Sequence, residues 1–461
     1  MEIGKQQKIA YIGGGSRAWA RKLMCDLALD GQLTGQVFLY DIDFEAAKDN
    51  EKLGNMITEH VDSKSHFVYN AVKTIDEALE NADVVIISIM PATFDEMEID
   101  VHTPEKYGIY QSVGDTAGFG GYIRAMKCAP MFRFFARKIK EICPDAFVIN
   151  YTNPMTLCCR LMFSIYPDMK LIGCCHEVFS TQKLLARAYS DITGKPEPAR
   201  QEIKIDVSGI NHFTWVAAAE YDGEDLFPIF RLFADKYYEK GYSFQVGNDS
   251  EKNVMYCGNK IKFEMFRKYG VIPAAGDRHL AEFFPGKWYL ENPERAHATQ
   301  FNLTPVSWRK ENFRKKISDT KDIIKGIRPL TITRSGEEGV RQIKALCGLG
   351  DFVTNVNTSN IGQMEALPRG AVVETNAVLS YGKISPVKAI PLPAAVTAMI
   401  VQHAYRHEAF IEAVNKQNAY AVCDIIADDP QCGALNLDQV RELFDEMCNR
   451  QKKYLVPFWK F

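Results

Sequence analysis

A handful of short polar stretches carry the side chains that could do chemistry. The first is Gly13-Gly14-Gly15-Ser16-Arg17-Ala18, which follows the apolar run Ile9-Ala10-Tyr11-Ile12. Glycines between a strand and a helix let the backbone approach a pyrophosphate, and the helix N-terminus offers free N–H groups to it. Gly13, Gly14, Gly15 and Ser16 are therefore expected to hold a dinucleotide. Asp41 closes the next apolar run, Val37-Phe38-Leu39-Tyr40. A carboxylate there can accept from a ribose and would repel a 2′-phosphate, which favours NAD over NADP, with Asp43 as a competing choice. The alternative is a glycine turn that binds something else. Further on, Cys175 and His212 form a thiol and imidazole pair that suits a borderline divalent metal such as Mn, Fe, Co, Ni or Zn. They lie far apart in the chain, so each read singly is better explained as a packed thiol or a structurally bonded histidine than as a ligand.

The remaining polar clusters are Gly114-Asp115-Thr116-Ala117-Gly118-Phe119-Gly120-Gly121, Asn150-Tyr151-Thr152-Asn153-Pro154, Cys174-Cys175-His176-Glu177, and Gly276-Asp277-Arg278-His279. Asp277, His176 and Asp115 are the titratable candidates for acid and base work. Arg278 and Arg124 are candidates to grip a carboxylate, because a guanidinium matches it in a bidentate fork. The bland readings are a loop cap or ion pair for Asp277, a turn or helix cap for Asp115, and solvated surface for the arginines.

These residues need a frame. Short apolar strands are expected at Lys8–Ile12, Val37–Tyr40, Val84–Ile89, Phe147–Asn150 and Lys170–Gly173, alternating with helices at Ala18–Leu29, Asp76–Asn81, Ile123–Ile142 and Met155–Ser164. That alternation predicts a doubly wound parallel sheet, with ligands at the carboxyl ends of its strands. After about residue 200 the pattern changes. Antiparallel strands are expected at Glu202–Ser208 and Thr214–Glu220, and the tail reads as helices at Ala394–Asn418 and Leu437–Tyr454. The expected fold is α/β, with a Rossmann-type domain over 1–200 and an α+β domain over 201–461, in the manner of lactate and malate dehydrogenases. No Pro/Gly-rich linker divides them, so the two should pack tightly.

The chain has 461 residues, 46% of them hydrophobic and 25% charged, with a net charge of -3. That balance gives no electrostatic case for nucleic acid or an anionic membrane surface. The lead Met1–Lys8 is polar, and the longest apolar stretches are strand-sized, so neither a signal peptide nor a membrane span is expected. Twelve cysteines in 461 residues are too sparse for a disulfide scaffold and fit a reducing cytoplasm.

Taken in order, the motifs resemble glycoside hydrolase family 4, the NAD- and metal-dependent glycosidases. The resemblance runs through Lys8–Ser16, Ala82–Ser88, Gly114–Gly121, Asn150–Pro154, Cys175–Val178, Gly209–Phe213, Asp277–Pro285 and Asn357–Val373. It implies that Cys175 and His212 bind a divalent metal, usually Mn²⁺. It also implies that Asn153 contacts the sugar, and that Gly13, Gly15, Ser16, Asp41 and, at the strand end, Asn150 serve the NAD site. The tetrapeptide Cys175-His176-Glu177-Val178 resembles that of the α-galacturonidase subgroup, which makes an α-linked uronide the expected substrate. The family is exceptional in not relying on two carboxylates. The resemblance implies hydride removal from C3, proton removal from C2, elimination of the leaving group, water addition and return of the hydride. In that scheme Asp277 is expected as the C2 base, His176 as the acid for the leaving group, and Asp115 as an orienting group. The assembly expected is a homodimer or homotetramer. The alternatives are an α-glucosidase, α-galactosidase or α-glucuronidase of the same family, an NAD-dependent hydroxy-acid dehydrogenase, and a non-catalytic NAD-sensing regulator.

Overall fold

A computed structural model describes residues 5–245 and 252–461; residues 1–4, part of the polar lead, lie outside the described residues. Six parallel strands open the chain: β1 (Lys5–Ile12), β2 (Leu33–Tyr40), β3 (Phe67–Val72), β4 (Val84–Ile87), β5 (Phe147–Asn150) and β6 (Lys170–Gly173). They lie in the order β3-β2-β1-β4-β5-β6, the doubly wound arrangement expected. Its centre is apolar on both faces, as a sheet covered by helices on both sides requires. Ala10, Ile12, Val85 and Ile87 point into one core, and Ile9, Tyr11, Val84 and Ile86 point into the other. This is the period-two alternation of a strand buried on both faces.

The sheet does not end at β6. Strands β7 (Lys204–Ile210), β8 (Phe213–Tyr221), β9 (Glu224–Asp225), β10 (Ile272–Pro273), β11 (Phe352–Ser359), β12 (Val372–Ser380) and β13 (Lys383–Pro386) continue it to 13 strands among the described residues. The join is antiparallel, with Asn357 of β11 opposite Gly173 of β6. Beyond it the order is β11-β12-β7-β8-β10, all antiparallel. A Rossmann sheet and an antiparallel extension thus share one surface, and the strand ends of both converge beside the join.

The tail returns to cover the first sheet. Helices Ala394–Lys416 and Leu437–Arg450 bring Phe410, Val414, Leu443 and Phe444 into the core that also holds Phe132 of helix Gly118–Ile142. That last helix starts earlier than the sequence pattern indicates. Gly118 through Gly121 are its first turn and not a loop before it. Three of these four are glycines because the chain folds back on them: a Cβ on Gly121 would lie 2.3 Å from the Thr116 carbonyl carbon.

Candidate active site

The glycine turn after β1 is built for close backbone approach. Gly13 and Gly14 N–H both donate to the Tyr40 carbonyl at 2.9 Å, locking the turn against β2. Gly13 has φ +89°, and a Cβ there would sit 2.1 Å from the Ser88 carbonyl oxygen. Only glycine fits. Asp41 accepts from Gly15 N–H and from Asp43 N–H, each at 2.9 Å, so its carboxylate is pinned at the lip of the turn. Asp43 is spent on a different task, capping helix Phe44–Thr58 through Ala46 N–H. A tight cradle with a fixed acid beside it suits the ribose and pyrophosphate of NAD.

At the carboxyl ends of β5 and β6 opens a cleft of about 520 Å³. Of the residues expected in the site, it is lined by Asp115, Asn153, Cys175, His176, His212 and Arg278. His212 follows β7 in the turn to β8, and its Nδ1 lies 3.2 Å from Thr116 Oγ1. The Thr116 hydroxyl gives its one proton to Asp115 Oδ1 at 2.9 Å, so His212 Nδ1 must be the donor to Thr116. That leaves the Nε2 lone pair free, the arrangement in which a histidine serves a metal. Burial, then the neighbouring His279, lowers His212 to about 3, which keeps it neutral. Burial, then Glu374 and Glu177, pushes the Cys175 thiol well up. A divalent cation beside Cys175 would oppose that rise and favour the thiolate. No three His, Cys, Asp or Glu side chains converge among the described residues. The pair therefore fits a metal whose other positions are left to substrate and solvent.

Three expected residues are placed elsewhere. Asp277 is fully buried and does not line the cleft. Its two oxygens accept from Ile261 N–H at 3.1 Å and Lys262 N–H at 3.2 Å, in the first turn of helix Lys260–Tyr269. It satisfies orphan helix donors, and a carboxylate so occupied is not placed to take a substrate proton. Asn150 is also fully buried; it donates to Thr152 O and accepts from Thr152 N–H, both at 3.0 Å, and so shapes the loop that presents Asn153. Arg124 lies outside the lining and donates from Nε to Asn153 O at 2.9 Å. Each supports the site from behind.

Several lining residues escaped the sequence reading. His279 stacks flat on His212, ring centroids 4.0 Å apart, with Nε2 3.8 Å from Glu177 Oε1 and Nδ1 buried without a partner among the described residues. Glu177 opens helix Glu177–Thr193 and takes Gly276 N–H at 2.8 Å. Burial raises its pKa, but His279, His176 and His212 outweigh that and hold it well below the usual range. Asp115 behaves alike: burial is overcome by His279, Arg124 and Arg309, leaving it at about 2. His176 stands nearly half exposed, with Glu177 and Glu337 3.8 and 3.9 Å from its ring nitrogens. Trp19 packs on Tyr151 and His176 at 5.4 and 5.7 Å. Glu177 and His279 sit inside motifs already singled out, so membership in those motifs was a usable signal. Arg309 lies in the charged helix Val306–Ile324 and carried none.

The family 4 glycosyl hydrolase model matches residues 8–190, and the model of that family's C-terminal domain matches residues 207–432. An α-galacturonidase of Thermoanaerobacterium saccharolyticum is 52% identical over 452 residues, covering 98% of this chain and 97% of its own. The crystal structure of Bacillus subtilis lplD superposes with a TM-score of 0.91 at 45% identity, over 96% of this chain and all of that one. A 6-phospho-alpha-glucosidase from gut microorganisms, solved with NAD and Mn²⁺, shares the fold at TM-score 0.78 and 16% identity, over 99% of this chain and 100% of its own. With both halves of the family pattern matched and the cleft lying where they meet, this chain belongs to glycosyl hydrolase family 4.

Proposed function

We propose that the chain hydrolyses an α-linked galacturonide with NAD and a divalent metal, usually Mn²⁺, as cofactors. The observation that carries this is the single cleft in which Asn153, Cys175, His176 and His212 meet at the carboxyl end of the dinucleotide sheet. Full-length likeness to an α-galacturonidase supports the choice of sugar. When bound, NAD supplies reversible hydride chemistry at a sugar carbon, and the metal supplies Lewis acidity at the sugar oxygens.

The chain's own side chains do the rest. The turn Gly13–Ser16 and Asp41 would hold the dinucleotide, and Cys175 and His212 would hold the metal. Asn153, its loop pinned by Asn150 and Arg124, orients the sugar. With Asp277 engaged as a cap, the C2 proton is assigned to the His279 imidazole, which lines the cleft beside Glu177. Asp115 is a fixed anion and not a base, because a carboxyl at about 2 has little affinity for a proton. His176, on the open side of the cleft, delivers the proton to the leaving group.

All twelve cysteines are free thiols, and eleven are buried, which suits a reducing cytoplasm as the place of action. No helix among the described residues is long and apolar enough to cross a membrane. A homodimer or homotetramer is the assembly we expect, to be read by sedimentation. The test of function is a panel of α-galacturonide, α-glucuronide and α-galactoside, given to dialysed protein with and without NAD and Mn²⁺ under a reductant. Preferential release of galacturonate that needs both additions supports the reading. Equal turnover of neutral galactoside, or build-up of NADH with the glycosidic bond intact, overturns it.

A further inference from the structure

The cleft holds more positive charge than the reaction described above uses. Arg278 and Arg309 both line it. Arg278 spends Nη2 on the Thr304 hydroxyl and Nη1 on the Met255 thioether, 3.1 Å away and a weak acceptor. Arg309 gives Nη2 to Val113 O at 2.9 Å. In both, Nε is buried without an acceptor, and neither guanidinium is in an ion pair among the described residues. Both side chains are half-buried, and a charge drawn that far from water gains from a partner.

The neighbouring charges do not cancel it. Burial lowers Arg309 to about 10, with Asp115 opposing and the Arg278 and Arg124 charges adding to the fall, so three guanidinium groups feel one another here. The acids within reach are Asp115, Glu177 and Glu282. Asp115 is ionised, but burial pushes Glu282 up to about 7, so it brings only part of a charge near neutrality. Asp115 and Glu177 also face the histidines of the cleft, so neither acid is dedicated to the guanidinium pair.

We infer that Arg278 and Arg309 together form the subsite for the carboxylate of a uronic-acid sugar. The inference rests on the α-galacturonide reading and deepens it by naming what tells a uronide from a neutral hexoside. Arg309 takes the part that the sequence pattern assigns to Arg124, whose Nε is committed to Asn153. Two planar forks from different segments, one after β10 and one on the helix Val306–Ile324, can meet a carboxylate from two sides. A neutral galactoside would leave both charges buried and unpaired, and discrimination against it follows.

The test is calorimetric titration of galacturonate and of galactose into the NAD- and Mn²⁺-loaded protein, for wild type, Arg278→Met, Arg309→Met and Arg309→Lys. Losing one charge-assisted contact should weaken galacturonate roughly 10–100-fold in each Met variant, with NAD affinity unchanged. Arg309→Lys should recover part of the loss, since it restores the charge but not the fork. Galactose should bind no more than weakly to all four. Galacturonate affinity that survives both Met variants, equal loss of galacturonate and galactose, or wild type binding the two alike overturns the subsite. The two readings fail separately. A wild type that binds galacturonate through this pair but cleaves no α-galacturonide retains the subsite and loses the function. Cleavage of α-galacturonide unimpaired in both Met variants retains the function and loses the subsite.

Discussion

Replacing Asp277 with asparagine separates the cap from the base. The carboxylate accepts two backbone N–H groups, from Ile261 and Lys262, and is fully buried. Asparagine keeps one acceptor oxygen but turns an NH₂ toward the second N–H, leaving a buried donor unmatched. Such a loss costs about 1–3 kcal/mol. At roughly 2.1 cal/mol/K of unfolding entropy per residue over 461 residues, a loss of about 2 kcal/mol lowers Tm by about 2 °C. Since the carboxylate does not line the cleft, kcat should stay within about threefold of wild type once NAD, Mn²⁺ and reductant are saturating. The assay pairs scanning calorimetry with initial rates on an α-galacturonide well below the melting range. A fall in kcat of about 10³-fold with Tm unchanged would restore Asp277 as the proton acceptor. Under the same conditions His279→Gln should lose most of its turnover.

Three other outcomes follow from the same geometry. Glu282, whose Oε1 takes Val113 N–H at 2.7 Å and Gly114 N–H at 2.8 Å, is raised by burial to about 7. A carboxyl raised on folding stabilises the fold fully below about pH 4.5 and loses that contribution as pH climbs toward 7. Wild-type Tm should therefore fall more between pH 5 and 8 than that of Glu282→Gln, and parallel slopes would contradict this. Cys175→Ser should weaken Mn²⁺ binding, followed by the electron paramagnetic resonance of free Mn²⁺, on the order of 10²-fold. NAD affinity should stay the same, because the glycine turn is held by Tyr40 and Asp41 and not by Cys175. Asp41→Ala should weaken NAD on the order of 10-fold and narrow its advantage over NADP, since both the ribose acceptor and the repulsion of a 2′-phosphate are lost; an unchanged NAD/NADP ratio would move that role to another residue.

Much of the first half of the fold is legible in the sequence because its determinants are local. Val84–Ile87 is apolar without interruption, as a central parallel strand must be, and the glycine turn after Ile12 announces both its strand and its helix. The antiparallel extension is not legible in the same way. Its join rests on Asn357 meeting Gly173, a pairing across a large span of chain that no periodicity records. Within the site, residue types are readable but side-chain directions are not. Asp277 and His279 share one polar motif, yet the helix start at Lys260 captures the carboxylate and leaves the imidazole beside the cleft. Arg309 has the opposite history. Its helix is so charged that it reads as solvated, and only the packing of that helix beside the Val113 loop turns the guanidinium inward.

The central claim is that the glycosidic bond breaks by elimination, after a proton leaves C2, and not by direct displacement at C1. Cleavage of an α-galacturonide in heavy water, with NAD, Mn²⁺ and a reductant present, tests it most directly. The released sugar is examined for deuterium at C2 while NADH absorbance is followed. Deuterium at C2 in every turnover with no net NADH is the predicted result. Galacturonate released with protium retained at C2 would contradict the account.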